Sequence, residues 1–435
     1  MSSKSSRRLF DRRMFLKGAG VALAASAGTG LMPGFLRKAL LPTGVGTAAA
    51  ADRLPDLYFA GTDGWISLPR TPAIGAFHPD NMAPDLFTTY VFGFRNVTGM
   101  STIQRNGQKN KAQHPAPMFW VTEGQDFRVQ LTNLGLAQRP DLFDEHTIHW
   151  HGFRNVIPFF DGEPTGSVSV PAGNNFTYVF RPREAGTYMY HCHVEDTEHV
   201  HMGMTGPVFV RPALGPRFAY NDPATAFDRE FAMFLSEVWA ESHWADAHIQ
   251  LPEWSDYRAD FALLNGRVYP DTLAPNGSID PFQPVFDANG DLVPPAGRPD
   301  LQYQPLSSLV TCNAGERVLL RFSHLGFKEA AMTLAGIRMR VVGKDATPMR
   351  GRDGTDTSYV VNTVSFGAGE SIDAIFTAPP HSGGAGPDVY VLYNRNFQRS
   401  NNLAPGGFGG QRTEVQVYPA GTLPPQTIPN ELPSA

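Results

Sequence analysis

Short apolar runs separated by turn residues follow one another along most of the chain after residue 86. In the run 124–133, apolar and polar residues alternate as they do in a strand with one buried face. Comparable runs recur in the second half, for example at 231–238 and 315–322. Gly, Pro and Phe are abundant, and long charged or alanine-rich stretches are scarce past residue 52. The pattern predicts an all-β chain with many turns.

A loop of turn residues after Pro212 divides these runs into two sets. We predict a first domain at 86–215 and a second at 226–420, followed by a C-terminal tail at 421–435. Residues 52–85 are rich in Pro, Gly and Asp and predict an irregular N-terminal arm. The length of 435 residues suits two or three domains, and the 42% of hydrophobic residues can form real cores.

Charge and cysteine content exclude two classes of protein. The net charge of −5 comes from mixed signs without a basic patch, so nucleic acid is not expected as a partner. Cys192 and Cys312 are the only cysteines, which excludes a disulfide scaffold. Cys312 lies in an apolar, strand-like run and is predicted to be a small buried residue.

The N-terminal residues 1–51 predict an export signal of the twin-arginine type. Arg12 and Arg13 precede an apolar run rich in Ala and Gly that ends near Met32, and small residues follow at 48–51. The alternative is a membrane anchor, but the apolar run is short and interrupted by glycine. We therefore expect the mature protein in the periplasm or outside the cell, with no stable membrane span after processing.

Histidines are concentrated in two windows, at 146–152 and 190–204. The first holds three of the thirteen histidines, and the second holds four, together with one of the two cysteines and two methionines. Thiolate, imidazole and thioether are the ligands that select copper, and two His, one Cys and a weak axial Met form a blue-copper electron-transfer site. The second window is therefore predicted to be a copper-binding loop.

If both windows begin as strands, the alternation of side chains sorts the ligands into two sites. His146 and Cys192 point to the same face and, with His199 and Met204, predict a site buried inside the domain. The other four imidazoles predict a second site on the domain surface; they belong to His149, His151, His191 and His193. The two sites are linked by consecutive residues of the chain, because Cys192 lies between two of these four histidines.

The segments HTIHWHG at 146–152 and YHCHVEDTEHVHMGM at 190–204 resemble the copper-binding motifs of the multicopper oxidases. This is the family of laccases, bilirubin oxidase and ascorbate oxidase. Its members are built of cupredoxin domains, so the resemblance implies two tandem cupredoxin-like Greek-key β-sandwich domains over residues 86–420. In the family, H-x-x-H-x-H-G and H-C-H supply a type 1 copper and half of a trinuclear type 2/type 3 cluster.

Carried over by position, the resemblance implies that the type 1 ligands are His146, Cys192, His199 and Met204. It implies a type 2 ligand at His149 and type 3 ligands at His151, His191 and His193. The interval between Cys192 and the next histidine after the H-C-H motif is longer than in the family, so His201 stays an alternative to His199 as the type 1 ligand. We prefer His199 because its spacing to Met204 matches the family.

The resemblance also implies a catalytic part for four residues. Electrons would pass from the type 1 site through Cys192 to its neighbours His191 and His193. The family has an acidic residue at the position of Asp161 that hydrogen-bonds water near the cluster. The alternative for Asp161 is a turn residue before Gly162.

The second domain departs from the family pattern because it lacks the metal ligands. Ala330, Thr333 and Ala335 stand at the histidine positions of the first motif, and residues 392–396 read LYNRN where a second H-x-H is expected. In two-domain relatives the cluster forms between the subunits of a trimer. That arrangement cannot supply eight histidines from this chain, so a partner subunit or a different assembly would have to complete the cluster. A homotrimer is the oligomer that the resemblance implies.

Three functions remain open. The first is a copper-dependent oxidoreductase that oxidises a small molecule or metal ion by one electron at a type 1 copper, with transfer to a histidine-bound copper and dioxygen as a candidate acceptor. The second is an electron-transfer or copper-binding protein that uses only the type 1 copper. The third is a nitrite-reductase-like enzyme with one type 2 copper. That family takes a histidine from the neighbouring subunit's second domain, where this chain has Asn394, Arg395 and Asn396.

Overall fold

The structure is a computed structural model that describes residues 53–70, 77–85, 87–402 and 409–433. The predicted export signal at 1–51 lies outside these residues. The strands of the first half are β1 (Leu57–Ser67), β2 (Thr88–Asn96), β3 (Phe119–Thr122), β4 (Phe127–Asn133), β5 (His149–His151), β6 (Asn175–Phe180), β7 (Gly186–His191) and β8 (Thr205–Arg211). The strands of the second half are β9 (Arg229–Val238), β10 (Phe261–Leu264), β11 (Val310–Asn313), β12 (Arg317–His324), β13 (Ala330–Leu334), β14 (Met339–Lys344), β15 (Thr347–Pro348), β16 (Tyr359–Val361), β17 (Thr363–Phe366), β18 (Ser371–Thr377), β19 (Asp388–Asn394) and β20 (Arg412–Tyr418).

Only three short α-helices interrupt the strands in the described residues. They are α1 (Thr102–Asn106), α2 (Asp196–Met202) and α3 (Ala240–Ala247). None of these described helices has both the length and the apolar character that crossing a bilayer requires. The prediction of an all-β chain is confirmed.

The first eight strands form a sandwich of two four-stranded sheets. One sheet has the order β2-β1-β4-β6, and the other has the order β3-β8-β7-β5. Their inward side chains meet in one aromatic-rich core, in which Phe119, Trp150 and Tyr190 are almost completely buried. Burying one such apolar side chain stabilises a fold by about 1.5–3 kcal/mol. The core therefore gives the strands that carry the predicted ligands a rigid frame.

The other twelve strands form a second sandwich. One sheet has the order β10-β9-β12-β18-β14-β15, with β16 paired to β14, and the other has the order β11-β20-β19-β13-β17. Phe231, Leu320, Met339 and Val415 lie in the core between them. Cys312 is completely buried in the same core, where it packs as a small apolar residue.

The prediction of an irregular arm at 52–85 is wrong, because β1 runs through its middle. β1 pairs antiparallel with β2 and parallel with β4. Its turn-type residues are buried in the sheet: Asp63 accepts hydrogen bonds from the Tyr90 hydroxyl (2.8 Å) and the Gln138 N–H (2.7 Å). Gly and Asp are common in turns, but in this strand they serve close packing and buried hydrogen bonding.

A buried ionic network joins the two sandwiches. Glu230 on β9 pairs with Arg211 at the end of β8 and with Arg321 on β12 (2.9 Å). Arg321 also reaches Asp373 of β18, which accepts a hydrogen bond from the Thr187 hydroxyl of β7 (2.6 Å). Buried charges persist only when they are paired and hydrogen-bonded. The network therefore fixes β7 and β8 of the first sandwich against the second.

The described part of the C-terminal tail is bonded to the second sandwich. The side-chain oxygen of Gln426 accepts from the Glu230 N–H (2.8 Å), and that of Asn430 accepts from the Ala232 N–H (2.7 Å). Both side chains thus satisfy backbone groups of β9 that would otherwise be buried without partners.

Candidate metal centres

The buried site lies where four segments of the first sandwich meet. Cys192 directly follows β7, His199 lies on α2, and Met204 directly precedes β8. His146 stands before β5 and pairs with Val170 as an isolated bridge. The Cys192 N–H donates to the Met204 carbonyl (3.0 Å), and the Met204 N–H donates to the His199 carbonyl (2.9 Å). These backbone bonds hold three of the four predicted ligands together.

The side chains of this site converge on one point. Cys192 Sγ lies 3.3 Å from His199 Nδ1, and one ligand atom each of His146, Cys192 and His199 lies within 4.8 Å of the others. These residues and Met204 are completely buried. Among the described residues, neither ring nitrogen of His146 finds a hydrogen-bond partner. Because buried polar atoms are normally paired, a metal ion would satisfy this imidazole, and the donor set fits a type 1 copper.

Electrostatics in this pocket favour the thiolate. Burial raises the pKa of the Cys192 thiol, but the neighbouring imidazoles of His199 and His146 together more than offset burial, so that the pKa lies well below its usual range. Burial lowers the pKa of His199, but the thiolate and Asp144 raise it to about 10. The Thr147 N–H also donates to Cys192 Sγ (3.4 Å). The thiolate is the form of cysteine that binds metals, and a bound metal ion would replace the proton that His199 shares with it.

Helix α2 separates the two histidines that competed for the type 1 position. Residues two apart on a helix do not face the same way. His199 therefore faces Cys192, whereas His201 points away, accepts from the Trp239 N–H (3.1 Å) through Nε2 and lies with its ring 5.1 Å from that of His243. The structure brings His199 to the site and leaves His201 in a separate buried cluster.

The four remaining predicted ligands form a second cluster, here called the histidine quartet (His149, His151, His191 and His193). His149 of β5 lies directly opposite His191 of β7 in an antiparallel pair. One ligand atom each of His149, His151 and His191 lies within 4.8 Å of the others. The ring of His193 lies 4.9 Å from that of His149. Trp150 lies between two members of the quartet and is buried in the core. Its side chain therefore points to the opposite face from theirs, as the alternation of side chains along a strand predicts.

Burial favours the neutral, metal-binding form of three members of the quartet. Burial lowers the pKa of His191 to about 3, and burial also lowers the pKa values of His149 and His151. The Nδ1–H of His191 donates to the Cys192 carbonyl (2.7 Å), and the Nδ1–H of His149 donates to the Asp161 carbonyl (3.0 Å). A hydrogen bond at Nδ1 orients the ring and leaves the other nitrogen for a metal.

Asp161 contacts the quartet mainly through its backbone. Its carbonyl accepts from His149, whereas its carboxylate oxygen Oδ1 lies 3.6 Å from the same nitrogen. The next residue, Gly162, has a φ of +77°, and a Cβ there would lie 2.1 Å from the Ile148 carbonyl oxygen. Asp161 lies in the turn before Gly162, and this turn orients a candidate ligand. A role of the Asp161 carboxylate toward water near the cluster stays a prediction.

The described part of the second sandwich supplies no ligand to either site. All three clusters of metal-binding side chains in the described residues lie in the first sandwich. At the predicted motif positions, Ala330 lies on β13, and Asn394 is buried and accepts from the Ala331 N–H (3.2 Å). The loop between β17 and β18 nevertheless covers one side of the quartet, because a Cβ on Gly369 would lie 3.1 Å from His151 Nε2.

Three residues that shape the buried site were missed from the sequence. Gly61 of β1 lies against the ring of His146, Thr147 donates to the Cys192 sulfur, and Asp144 Oδ2 lies 3.3 Å from His199 Nε2. Asp144 and Thr147 are close to His146 in sequence, and this proximity could have identified them as neighbours of the site. Nothing in the sequence links Gly61 to the pocket.

The chain is similar to known proteins in sequence and in fold. Residues 96–214 match the family model described as multicopper oxidase. Laccase-5 of Arabidopsis thaliana is 25% identical over 295 residues, which cover 66% of this chain and 41% of the laccase. The L-ascorbate oxidase of Nicotiana tabacum is 27% identical over 273 residues, which cover 61% of this chain and 41% of the oxidase. The structure of a blue copper oxidase from Nitrosomonas europaea matches with a TM-score of 0.54 at 21% identity, over 83% of this chain and 85% of that one.

These similarities agree with the resemblance that the sequence predicts. Residues 96–214 match the multicopper oxidase model, and the predicted resemblance to the laccase-like multicopper oxidases is confirmed. The structural match confirms the fold of tandem cupredoxin-like sandwiches. The chain spans about two fifths of the length of the curated relatives it matches.

Proposed function

We propose that the chain is a copper-dependent oxidoreductase that takes single electrons from a reducing substrate. The observation that supports this most directly is the convergence of His146, Cys192 and His199 in a fully buried pocket. These residues, together with the thioether of Met204, would hold a type 1 copper. Copper bound there would supply one-electron chemistry between Cu(II) and Cu(I).

The chain also provides a short covalent link between the two sites. Cys192 belongs to the buried pocket, and its neighbours His191 and His193 belong to the quartet. The Cys192 carbonyl also accepts from His191 Nδ1 (2.7 Å). We propose that electrons use this link, with His149 in the type 2 position and His151, His191 and His193 in the type 3 positions.

A complete trinuclear cluster would need more ligands than the quartet offers. Dioxygen as the acceptor therefore requires a partner subunit or a different assembly that supplies further ligands. The reducing substrate would be a small molecule or a metal ion. We further propose that the twin-arginine signal at 1–51 directs the protein to the periplasm or the exterior.

An electron-transfer or copper-binding protein that uses only the type 1 site is the second candidate. The residues Ala330, Thr333 and Ala335 at the motif positions of the second sandwich favour it, because none of them binds a metal. A nitrite-reductase-like enzyme would hold one type 2 copper with imidazoles of the quartet and a further histidine from the neighbouring subunit's second domain. It is the least favoured, because Asn394 and Asn396 stand where that family has its second-domain histidine motif.

Copper content and spectra of purified variants test the proposal. Wild-type protein should be blue and hold more than one copper per chain. Cys192→Ser should lose the blue colour, and a His149→Ala/His151→Ala double variant should keep the colour but lose the additional copper and the oxidase activity toward phenols or Cu(I). A double variant with unchanged redox function would favour the electron-transfer candidate. Colour that survives Cys192→Ser would overturn the copper assignment.

A further inference from the structure

The second sandwich repeats the eight strands of the first. The orders β2-β1-β4-β6 and β3-β8-β7-β5 recur as β10-β9-β12-β18 and β11-β20-β19-β13. The strand directions recur as well: β12 is parallel to β9 as β4 is to β1, and β13 is antiparallel to β19 as β5 is to β7. The buried metal site of the first sandwich lies between the segment before β5 and the loop after β7. Its counterpart in the second sandwich therefore lies between the segment before β13 and the loop after β19.

A buried carboxylate holds this counterpart region together. Glu237 of β9 accepts from the N–H groups of Phe327 (3.0 Å) and Lys328 (3.3 Å), which lie in the segment before β13. It also accepts from the Tyr257 hydroxyl and pairs with Arg399, which lies in the loop after β19. One side chain thus fixes three separate segments. Where the first sandwich gathers metal ligands, the second has an ion pair.

A cleft of about 210 Å³ opens beside this ion pair. Its cationic side chains are Arg258, Lys328 and Arg399, and Tyr257 contributes an aromatic ring. Among the described residues that line it, Glu329 is the only acidic one. Pockets for drug-sized ligands are about 300–1,000 Å³ in volume, so this cleft suits a smaller molecule with a single ring.

Two of the three cations are not neutralised by a salt bridge. In the described part of the chain, neither Arg258 nor Lys328 pairs with a carboxylate, and both residues are exposed. Lys328 Nζ lies 5.7 Å from the centre of the Tyr257 ring, a cation–π contact that keeps the ammonium group beside the cleft. A guanidinium group binds a carboxylate through two parallel hydrogen bonds. The cleft therefore attracts an anion, and the charge of Glu329 favours an anion with one negative charge over one with two.

We propose that this cleft binds a small aromatic carboxylate. The carboxylate of the ligand pairs with Arg258 and Lys328, and its ring packs beside Tyr257. The site is separate from both candidate metal centres, which lie in the first sandwich. Binding at the cleft requires no copper, so its test does not depend on the proposed function.

Benzoate and its uncharged analogue benzamide test the proposal by isothermal titration calorimetry with the purified full-length protein. Wild type should bind benzoate about tenfold more tightly than benzamide, because only benzoate pairs with the two cations. Arg258→Gln and Lys328→Gln should each weaken benzoate binding by about tenfold and leave benzamide binding unchanged. Equal benzoate affinity in the wild type and both variants, or no benzoate binding at millimolar concentration, would overturn the site.

Two control variants distinguish the cleft from other places where benzoate could bind. Arg352→Gln removes one positive charge from an exposed residue of the second sandwich that does not line the cleft, and it should bind benzoate as the wild type does. The His149→Ala/His151→Ala variant, which removes two imidazoles of the quartet, should also keep its benzoate affinity. A loss in either control as large as that in Arg258→Gln would place the binding outside the cleft and contradict the proposal.

Two further probes test the class of the ligand. Acetate lacks the ring and should bind more weakly than benzoate. Inorganic phosphate should also bind more weakly, because Glu329 repels its second negative charge. Acetate that binds as tightly as benzoate would overturn the aromatic part of the assignment, and phosphate that binds more tightly would overturn the carboxylate part.

Discussion

Gly61 lies directly against the ring of His146, and a Cβ on Gly61 would lie 2.8 Å from His146 Cδ2. That distance is shorter than carbon atoms tolerate, so an added methyl group must displace the ring or the strand. The relationship means that β1 forms one wall of the buried pocket. It also explains why glycine occupies the middle of a buried strand, where it otherwise weakens the structure.

We expect Gly61→Ala to weaken copper binding at the buried site by about tenfold or more, because His146 can no longer reach its position. Copper titration followed by the blue absorption measures the effect. Gly384→Ala serves as the control, since a Cβ there would contact only the Ser382 hydroxyl at 3.7 Å in an exposed loop. Equal copper affinity of the two variants would contradict the role of Gly61.

The two histidines of α2 should respond differently to substitution. His199→Ala should abolish the blue colour. His201→Ala should keep the blue colour but lower the free energy of unfolding by about 2 kcal/mol. The reason is that the buried backbone N–H of Trp239 loses its acceptor. Visible spectra and urea unfolding distinguish the two effects. A colourless, stably folded His201→Ala variant would show that the wrong histidine has been assigned to copper.

Much of the candidate site was predictable, because alternate residues of a strand point to the same face of the sheet. His149 and His151 flank buried Trp150 on β5, and this alternation depends only on strand geometry. The short strand itself was less predictable: it begins at His149, and His146 forms only an isolated bridge.

The contributions of distant segments were not predictable. Gly61 and Asp63 carry the composition of a turn, and only their pairing with β2 and packing against the core turn them into a strand. The structure distinguishes His199 from His201 as the candidate ligand of the buried site. Helix α2 occupies the longer interval after Cys192 and directs the two histidines to different sides of the helix. Spacing alone could not give that direction.

Gly162 should be needed for the quartet but not for the buried site. Gly162→Ala would place a Cβ 2.1 Å from the Ile148 carbonyl oxygen, and the turn that carries the Asp161 carbonyl to His149 would move. We expect the variant to stay blue and to lose the copper of the quartet, as measured by metal analysis. Gly173→Ala is the control, because its φ is equally positive at +81° and no atom lies within 4 Å of the new Cβ. Copper loss in both variants would point to backbone strain instead of the contact with Ile148.

The ionic network between the sandwiches should make stability depend on pH. Burial raises the pKa of Glu230, but Arg211 and Arg321 more than offset burial, so that the pKa in the folded protein lies below its usual value. A carboxyl whose pKa is lower in the folded than in the unfolded state stabilises the fold at pH values above its unfolded pKa of about 4.3. This contribution is lost as the pH falls through the folded pKa.

We therefore expect Glu230→Gln to lower the free energy of unfolding at pH 7 by about 3 kcal/mol, because two buried arginines lose a charged partner. Below about pH 4 the wild type should lose stability more steeply than the variant, since only the wild type has this carboxylate to protonate. Urea unfolding across this pH range measures both effects. Glu184→Gln, which removes an exposed partner of Arg154 (3.3 Å), should change stability little at any pH. Parallel curves of unfolding free energy against pH for wild type and Glu230→Gln would mean that Glu230 contributes nothing to the acid sensitivity of the ionic network.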